Sequence, residues 1–143
     1  MSSFVNLGNI LVTGGAGYIA THTIVSLLET GCDVTVVDNL INSSEEGLNR
    51  VKKIAGVEGT DRLRFFNVDV CDAASLEKVF EQSPVPFKAC IHFAGLKSVG
   101  ESVKLPLLYY NNNLISTFNL LNLLDKYNCH SVVFSSSATV YLL

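Results

Sequence analysis

Five short apolar runs recur along the chain, at Asn9–Thr13, Asp33–Val37, Arg64–Val68, Ala89–Phe93 and Ser131–Ser135. Each is β-branched or aromatic in its middle and nearly continuously apolar. That is the pattern of parallel strands covered on both faces. Between the runs the period lengthens to that of helices. After Gly17 the residues Ile19, Ile24, Leu27 and Leu28 fall at helical spacing, and Gly31 stands where a C-terminal cap belongs. Ser43 followed by Glu46 reads as a capping box opening a second helix, with Leu48, Val51 and Ile54 behind it and Gly56 closing it. Asp72 caps a third helix carrying Leu76, Val79 and Phe80, ended by the prolines of Ser83–Pro86. A fourth, longer helix spans about Leu105 to Tyr127. Its polar stripe is Ser116, Asn119, Asn122 and Lys126, and Leu114, Ile115, Phe118, Leu121 and Leu124 fill much of the rest. So wide an apolar surface calls for two partners, the sheet and something else. Strands alternating with helices across short loops predict an α/β fold, a doubly wound parallel sheet of five strands.

Composition narrows the class. The 143 residues suffice for one domain with a real core. Hydrophobic residues make up 48% and charged ones 16%, which excludes disorder. No apolar run is long enough for a membrane span, and the N-terminus lacks the basic start and apolar core of a secretory signal. A net charge of −3 without a basic run gives nucleic acid nothing to bind. The cysteines at 32, 71, 90 and 129 show no C-x-x-C spacing, so a metal or disulfide framework is not expected. Reduced thiols in a cytoplasmic protein are.

The residues that carry chemistry cluster at the carboxyl ends of the expected strands, where open α/β sheets bind ligands. Gly14, Gly17 and Ala20 fit G-x-x-G-x-x-[G/A] between strand and helix, a turn that brings backbone N–H groups up to a pyrophosphate at a helix N-terminus. Ala20, in the third position, adds a methyl where the helix crosses the sheet. Asp38 ends the second strand about 20 residues on, where a carboxylate accepts from an adenosine ribose and repels a 2′-phosphate, favouring NAD over NADP. Capping the next helix is the other use for Asp38, and Ser43 is better placed for it. Asp69 is either near an adenine amino group or in an ordinary turn. Lys97 follows a small-residue turn on the same edge, either neutralising phosphate or charge near a nicotinamide, or simply solvated. The run Asn111–Asn113 is a poor helix interior, so at least one of its amides should have a specific partner. Ser137 ends a serine run where a hydroxyl could hold a substrate oxygen. The histidines at 22, 92 and 130 are assigned no chemistry.

The segments VTGGAGYIA, DNLINSSEEGL, HFAGLKSVGES, YYNNN and FSSSATVY together resemble the UDP-glucose 4-epimerases, galactose-pathway members of the extended short-chain dehydrogenase/reductase family, from about Asn9 to Tyr141. The resemblance implies a Rossmann domain with tightly bound NAD and a UDP-sugar substrate. It places Tyr18 and Ile19 on the pyrophosphate and Asp38, Asn39, Leu40, Ile41, Asn42 and Ser43 around the adenosine half. Asp69 and Val70 then meet the adenine. Phe93, Ala94, Gly95, Leu96 and Lys97 line the dinucleotide, with Asn112 also on the cofactor, and Ser137 is the serine that assists the sugar's 4-hydroxyl. The implied reaction takes hydride from C4 to NAD+, rotates the 4-keto sugar and returns hydride to the opposite face.

The family's catalytic base is the tyrosine of a Tyr-x-x-x-Lys pair, and no tyrosine of this sequence has a lysine four residues later. After Tyr141 the chain reads Leu142-Leu143, where the family continues with glycine, a sixth strand and a substrate domain. The expectation is therefore one incomplete NAD-binding domain over 1–143. Loss of the base alone costs on the order of 10²–10⁴ in rate, so these residues by themselves should be inactive. The full-length family protein is expected to be a homodimer. The competing readings are a truncated product that only holds NAD, and another extended-family sugar-nucleotide epimerase or dehydratase.

Overall fold

The computed structural model describes residues 8–137. The N-terminal leader reading and the segment around Tyr141 to Leu143 lie outside the described residues. The elements run β1 (Asn9–Thr13), α1 (Tyr18–Glu29), β2 (Asp33–Asp38), α2 (Glu45–Ile54), β3 (Leu63–Asn67), α3 (Ala73–Glu81), β4 (Phe87–His92), α4 (Val99–Lys104), α5 (Pro106–Lys126) and β5 (Val132–Phe134). All strand pairs are parallel, in the order β3-β2-β1-β4-β5. The chain moves outward from β1 to β3, then crosses back to lay β4 on β1's other side. The strand order thus reverses between β1 and β4, and a crevice opens at their carboxyl ends.

Alternation along the strands builds a core on each face. Ile10, Val12, Val34 and Val36 meet Ala20, Ile24 and Leu28 of α1 and Leu48 and Val51 of α2. Leu11, Val37 and Cys90 point the other way, to Leu76, Val79 and Phe80 of α3 and Leu120 and Leu124 of α5. Ala20, Ile24 and Leu28 recur every four residues, so α1 presents one buried stripe. Each buried leucine or isoleucine contributes about 1.5–3 kcal/mol, which is why these stripes rather than helix propensity fix the layers. Arg62 ties the sheet to α1, donating from one nitrogen to the carbonyls of Leu28 (2.8 Å) and Cys32 (2.9 Å) and pairing with Asp33 (3.3 Å).

Four expectations need correction. The cap of α2 is Ser44, whose hydroxyl accepts from Glu46 N (3.3 Å); Ser43 instead turns its hydroxyl to Asp38. The long helix begins at Pro106, within one residue of its expected start, but a separate short α4 precedes it that was not expected. Leu105 is pushed out of helical geometry by the proline after it, which then serves as N1 of α5. The polar stripe of α5 is split: Asn122 and Lys126 are exposed as expected, but its other two members face inward. Ser116 is buried and Asn119 reaches inward to the carbonyls of Val70 (3.2 Å) and Cys71 (2.9 Å). Leu124 is buried, while Leu114, Ile115, Phe118 and Leu121 are 43–58% exposed and form the second apolar face that the two-partner reading called for. Likewise β5 is not covered on both faces, since all three of its residues are exposed at the sheet edge. Among the described residues no helix is long and apolar enough to cross a membrane, and no cluster of side chains could hold a metal ion.

Candidate functional site

The turn after β1 is shaped by what its glycines leave out. Gly14 sits at φ +66°, and a Cβ there would lie 2.6 Å from Ala94 N and 2.8 Å from Ala94 Cα, backbone atoms of the turn that follows β4. A Cβ on Gly15 would meet Val36 Cγ1 at 2.6 Å. The glycines therefore let the turn lie directly on the ends of β2 and β4. Gly17 is the N-cap of α1 and brings no side chain to it, and no acidic residue stands in the first turn. The first intrahelical bond runs from Thr21 N to Gly17 O (2.9 Å), which leaves the N–H groups of Tyr18, Ile19 and Ala20 directed past the helix end. α2 and α3 close their own ends with Ser44 and Asp72; α1 keeps its positive end open to the crevice.

Asp38 closes β2 and is almost wholly buried. Its Oδ2 accepts from Ala16 N (3.0 Å), and its Oδ1 accepts from Leu40 N (2.9 Å) and from the Ser43 hydroxyl (2.9 Å). One carboxylate thus ties the glycine turn to the loop after β2 and keeps a lone pair on Oδ2 for a further donor. Leu40 adopts φ +57° inside this Asx turn. Beyond it, Asn39 donates to Asp69 Oδ2 (3.2 Å), and Asp69 Oδ1 accepts from Cys71 N (2.8 Å). The Cys71 thiol is pushed up by burial and by the Asp69 carboxylate beside it, so it stays protonated.

Two adjoining cavities occupy the edge. One, of about 230 Å³, lies over β1, β2 and β3 and is lined by Asp38, Asn39, Ile41, Asn42, Asp69 and Val70, with Asn112 of α5. The other, of about 500 Å³, reaches from Ile19 and Ala20 past Tyr109 to Ser135, Ser136 and Ser137. Gly14, Gly17, Tyr18 and the run Phe93–Lys97 line both, so the cavities meet at the switch point. Leu40 and Ser43 line neither and donate to Asp38 instead. Every other residue expected at the site lies on one of these walls.

Four residues here were not singled out by sequence reasoning, Asn113 having been expected only as one of the run Asn111–Asn113. Gly15 is needed for packing against Val36. Asn113, more than Asn112, has the specific amide partners: its Oδ1 accepts from Leu96 N (2.8 Å) and its Nδ2 donates to Leu96 O (3.0 Å). Tyr109 is buried, donating to Glu101 (2.6 Å) and accepting from Ser98 N (3.1 Å). Tyr109, Asn113 and Thr117 lie four residues apart, a face that could have been found from helical spacing. The fourth is His92, 2% exposed at the end of β4. The Thr117 hydroxyl donates to Asn113 O (2.7 Å), so its oxygen accepts from His92 Nε2 (3.1 Å), leaving Nδ1 to accept from Thr13 (2.6 Å). Burial holds the imidazole below its ordinary value, and the ring is neutral.

A folded-state value below the unfolded one makes that contribution to stability present above about pH 6.5 and lost as pH falls below it, because the unfolded chain takes a proton that folded His92 resists. Chemical denaturation at about pH 8 and about pH 5.5 should show this loss, and His92→Gln should reduce it. An equal loss in the variant would remove His92 as its source.

This geometry agrees with the comparisons to known proteins. Residues 10–141 match the NAD dependent epimerase/dehydratase family. The chain belongs to that family. Among relatives, UDP-glucose 4-epimerase 2 of Arabidopsis thaliana is 57% identical over 133 residues, 93% of this chain and 37% of its own length. The Bacillus subtilis UDP-glucose 4-epimerase is 54% identical over 92% of this chain and 37% of its own length. Among solved structures, UDP-glucose 4-epimerase from Bifidobacterium longum in complex with NAD+ and UDP superposes with a TM-score of 0.85 at 50% identity, covering 93% of this chain and 38% of that one. The chain therefore spans a little over a third of the length of these members of the epimerase/dehydratase family, and the matched part is the five-stranded Rossmann-like sheet described above.

Proposed function

We propose that this chain is the NAD-binding part of a UDP-glucose 4-epimerase, acting at C4 of a UDP-hexose. The reading is carried by the turn at Gly14–Gly17: a cradle that a Cβ would fill, in front of a helix whose first three N–H groups have no capping side chain. Those groups fit a pyrophosphate. The adenosine half goes to the smaller cavity, where Asp38 Oδ2 accepts from the ribose and Asn39, Asp69 and Val70 face the base. The other half goes to the larger cavity, between Lys97 and Ser137. NAD, when bound, supplies a reversible hydride acceptor. The chain's own residues bind and orient it: Phe93 and Ala94 wall off water, Lys97 brings positive charge, and Ser137 offers a hydroxyl to the sugar.

Further parts of the reading concern the whole protein. No tyrosine among the 143 residues has a lysine four positions on, so we propose that they hold the cofactor without turning over sugar nucleotide themselves. The exposed apolar face of α5 is where two copies of the full-length protein would pair. Calorimetric titration tests the core of the proposal. The chain should bind NAD and bind NADP at least about tenfold more weakly, because a 2′-phosphate would meet the Asp38 carboxylate. No binding of NAD, or equal binding of both, would refute it.

A further inference from the structure

Lys97 lines both cavities where they join, and among the described residues its ammonium has no hydrogen-bond or ion-pair partner. The backbone that carries it is just as unusual. No backbone–backbone hydrogen bond among the described residues involves Ala94 through Lys97. A turn left that way would be free to swing, because nothing in the sheet fixes it.

The turn is gripped from α5 instead, on both sides of the lysine. On one side the Asn113 amide takes both the N–H and the C=O of Leu96, as a neighbouring strand would. On the other, the Tyr109 phenol accepts from Ser98 N and is itself held by Glu101. Asn113 is fixed in its turn. Asn112 Nδ2 donates to its Oδ1 (3.0 Å), which settles which end of the amide faces Leu96 N. Its carbonyl also receives the Thr117 hydroxyl that links to His92. The two grips lie one helical turn apart on the same face of α5.

We propose that Asn113 and Tyr109 are positioning residues for Lys97, holding Leu96 and Ser98 so that the ammonium is presented at the junction of the two cavities. The inference rests on the reading of the crevice as an NAD site. It assigns the interior polar positions of α5 a task that neither core packing nor direct cofactor contact supplies.

The test combines amide hydrogen exchange with titration of NAD and of adenosine on the chain carrying Asn113→Ala, Lys97→Ala and both. Exchange at Leu96 should quicken in Asn113→Ala, and NAD affinity should fall about tenfold. Adenosine, which carries no phosphate, should bind as before. In the double variant NAD should bind no worse than in Lys97→Ala, because a misplaced lysine and an absent one are equivalent; a purely structural loss would add. Tyr109→Phe, which keeps the ring and its packing, should quicken exchange at Ser98 and weaken NAD in the same non-additive way. NAD affinity undiminished in Asn113→Ala, or losses that add to that of Lys97→Ala, would overturn this inference alone. Failure of the unmodified chain to bind NAD would overturn the proposed function and this inference with it.

Discussion

Gly14→Ala should abolish NAD binding and destabilise the chain by about 2–5 kcal/mol, a large share of the roughly 5–15 kcal/mol that domains have to lose. Two costs add. The first is conformational: at φ +66° an L side chain costs about 1–2 kcal/mol. The second is steric. The new methyl would stand 2.6 Å from Ala94 N, 2.8 Å from its Cα and 2.9 Å from Phe93 C. These are backbone atoms at the end of β4, which pairs with β1, so the sheet has no cheap way to give, and overpacking of this kind costs about 1–3 kcal/mol or more. Gly56→Ala separates the two. Gly56 has a similar φ of +64° but nothing within 4 Å of the added atom. It should therefore lose about 1 kcal/mol and keep NAD affinity. Denaturation and titration of both variants decide the matter. If Gly14→Ala were no worse than Gly56→Ala, the close approach of the turn to β4 would not be what the glycine is for.

The sheet was legible because its central strands are buried on both faces and its edge strands still read as apolar runs. All five formed where hydrophobicity placed them, with no end moved by more than two residues. The carboxyl-edge site was legible for a related reason: small and polar residues stand out when each follows such a run. What could not be read was which side of a helix faces inward. On α5 hydropathy showed apolar surface for two partners but not which face meets the sheet; Leu114, Ile115, Phe118 and Leu121 are the outer one, because the inner face must also satisfy turns that the sheet leaves unpaired. Asn113 and Asn119 donate to backbone carbonyls there, and no periodicity of hydropathy can show a hydrogen bond. The same limit hid Ser44. Ser43 and Ser44 are one chemical type, one residue apart, and the choice between them is made by Asp38, which draws the Ser43 hydroxyl away from the helix.

That carboxylate carries the second large expectation. Asp38→Ala should cost about 3 kcal/mol and remove NAD affinity, and Asp38→Asn, nearly isosteric, should cost almost as much. Both oxygens of Asp38 are acceptors in the folded chain: Oδ2 for Ala16 N, Oδ1 for Leu40 N and the Ser43 hydroxyl. An asparagine has one oxygen. Whichever way its amide turns, an NH2 group is set against a backbone N–H, at Ala16 or at Leu40. The result is a donor facing a donor in a buried place, at about 1–3 kcal/mol for the group left unsatisfied. Ser43→Ala removes only one donor and leaves the carboxylate its other partners, so it should cost about 1 kcal/mol. The order Ala ≥ Asn at position 38, both well above Ser43→Ala, follows if Asp38 ties the glycine turn to β2 as well as holding a ribose. An Asp38→Asn chain of full stability that had lost only cofactor affinity would show the opposite, a carboxylate used by the ligand and not by the fold.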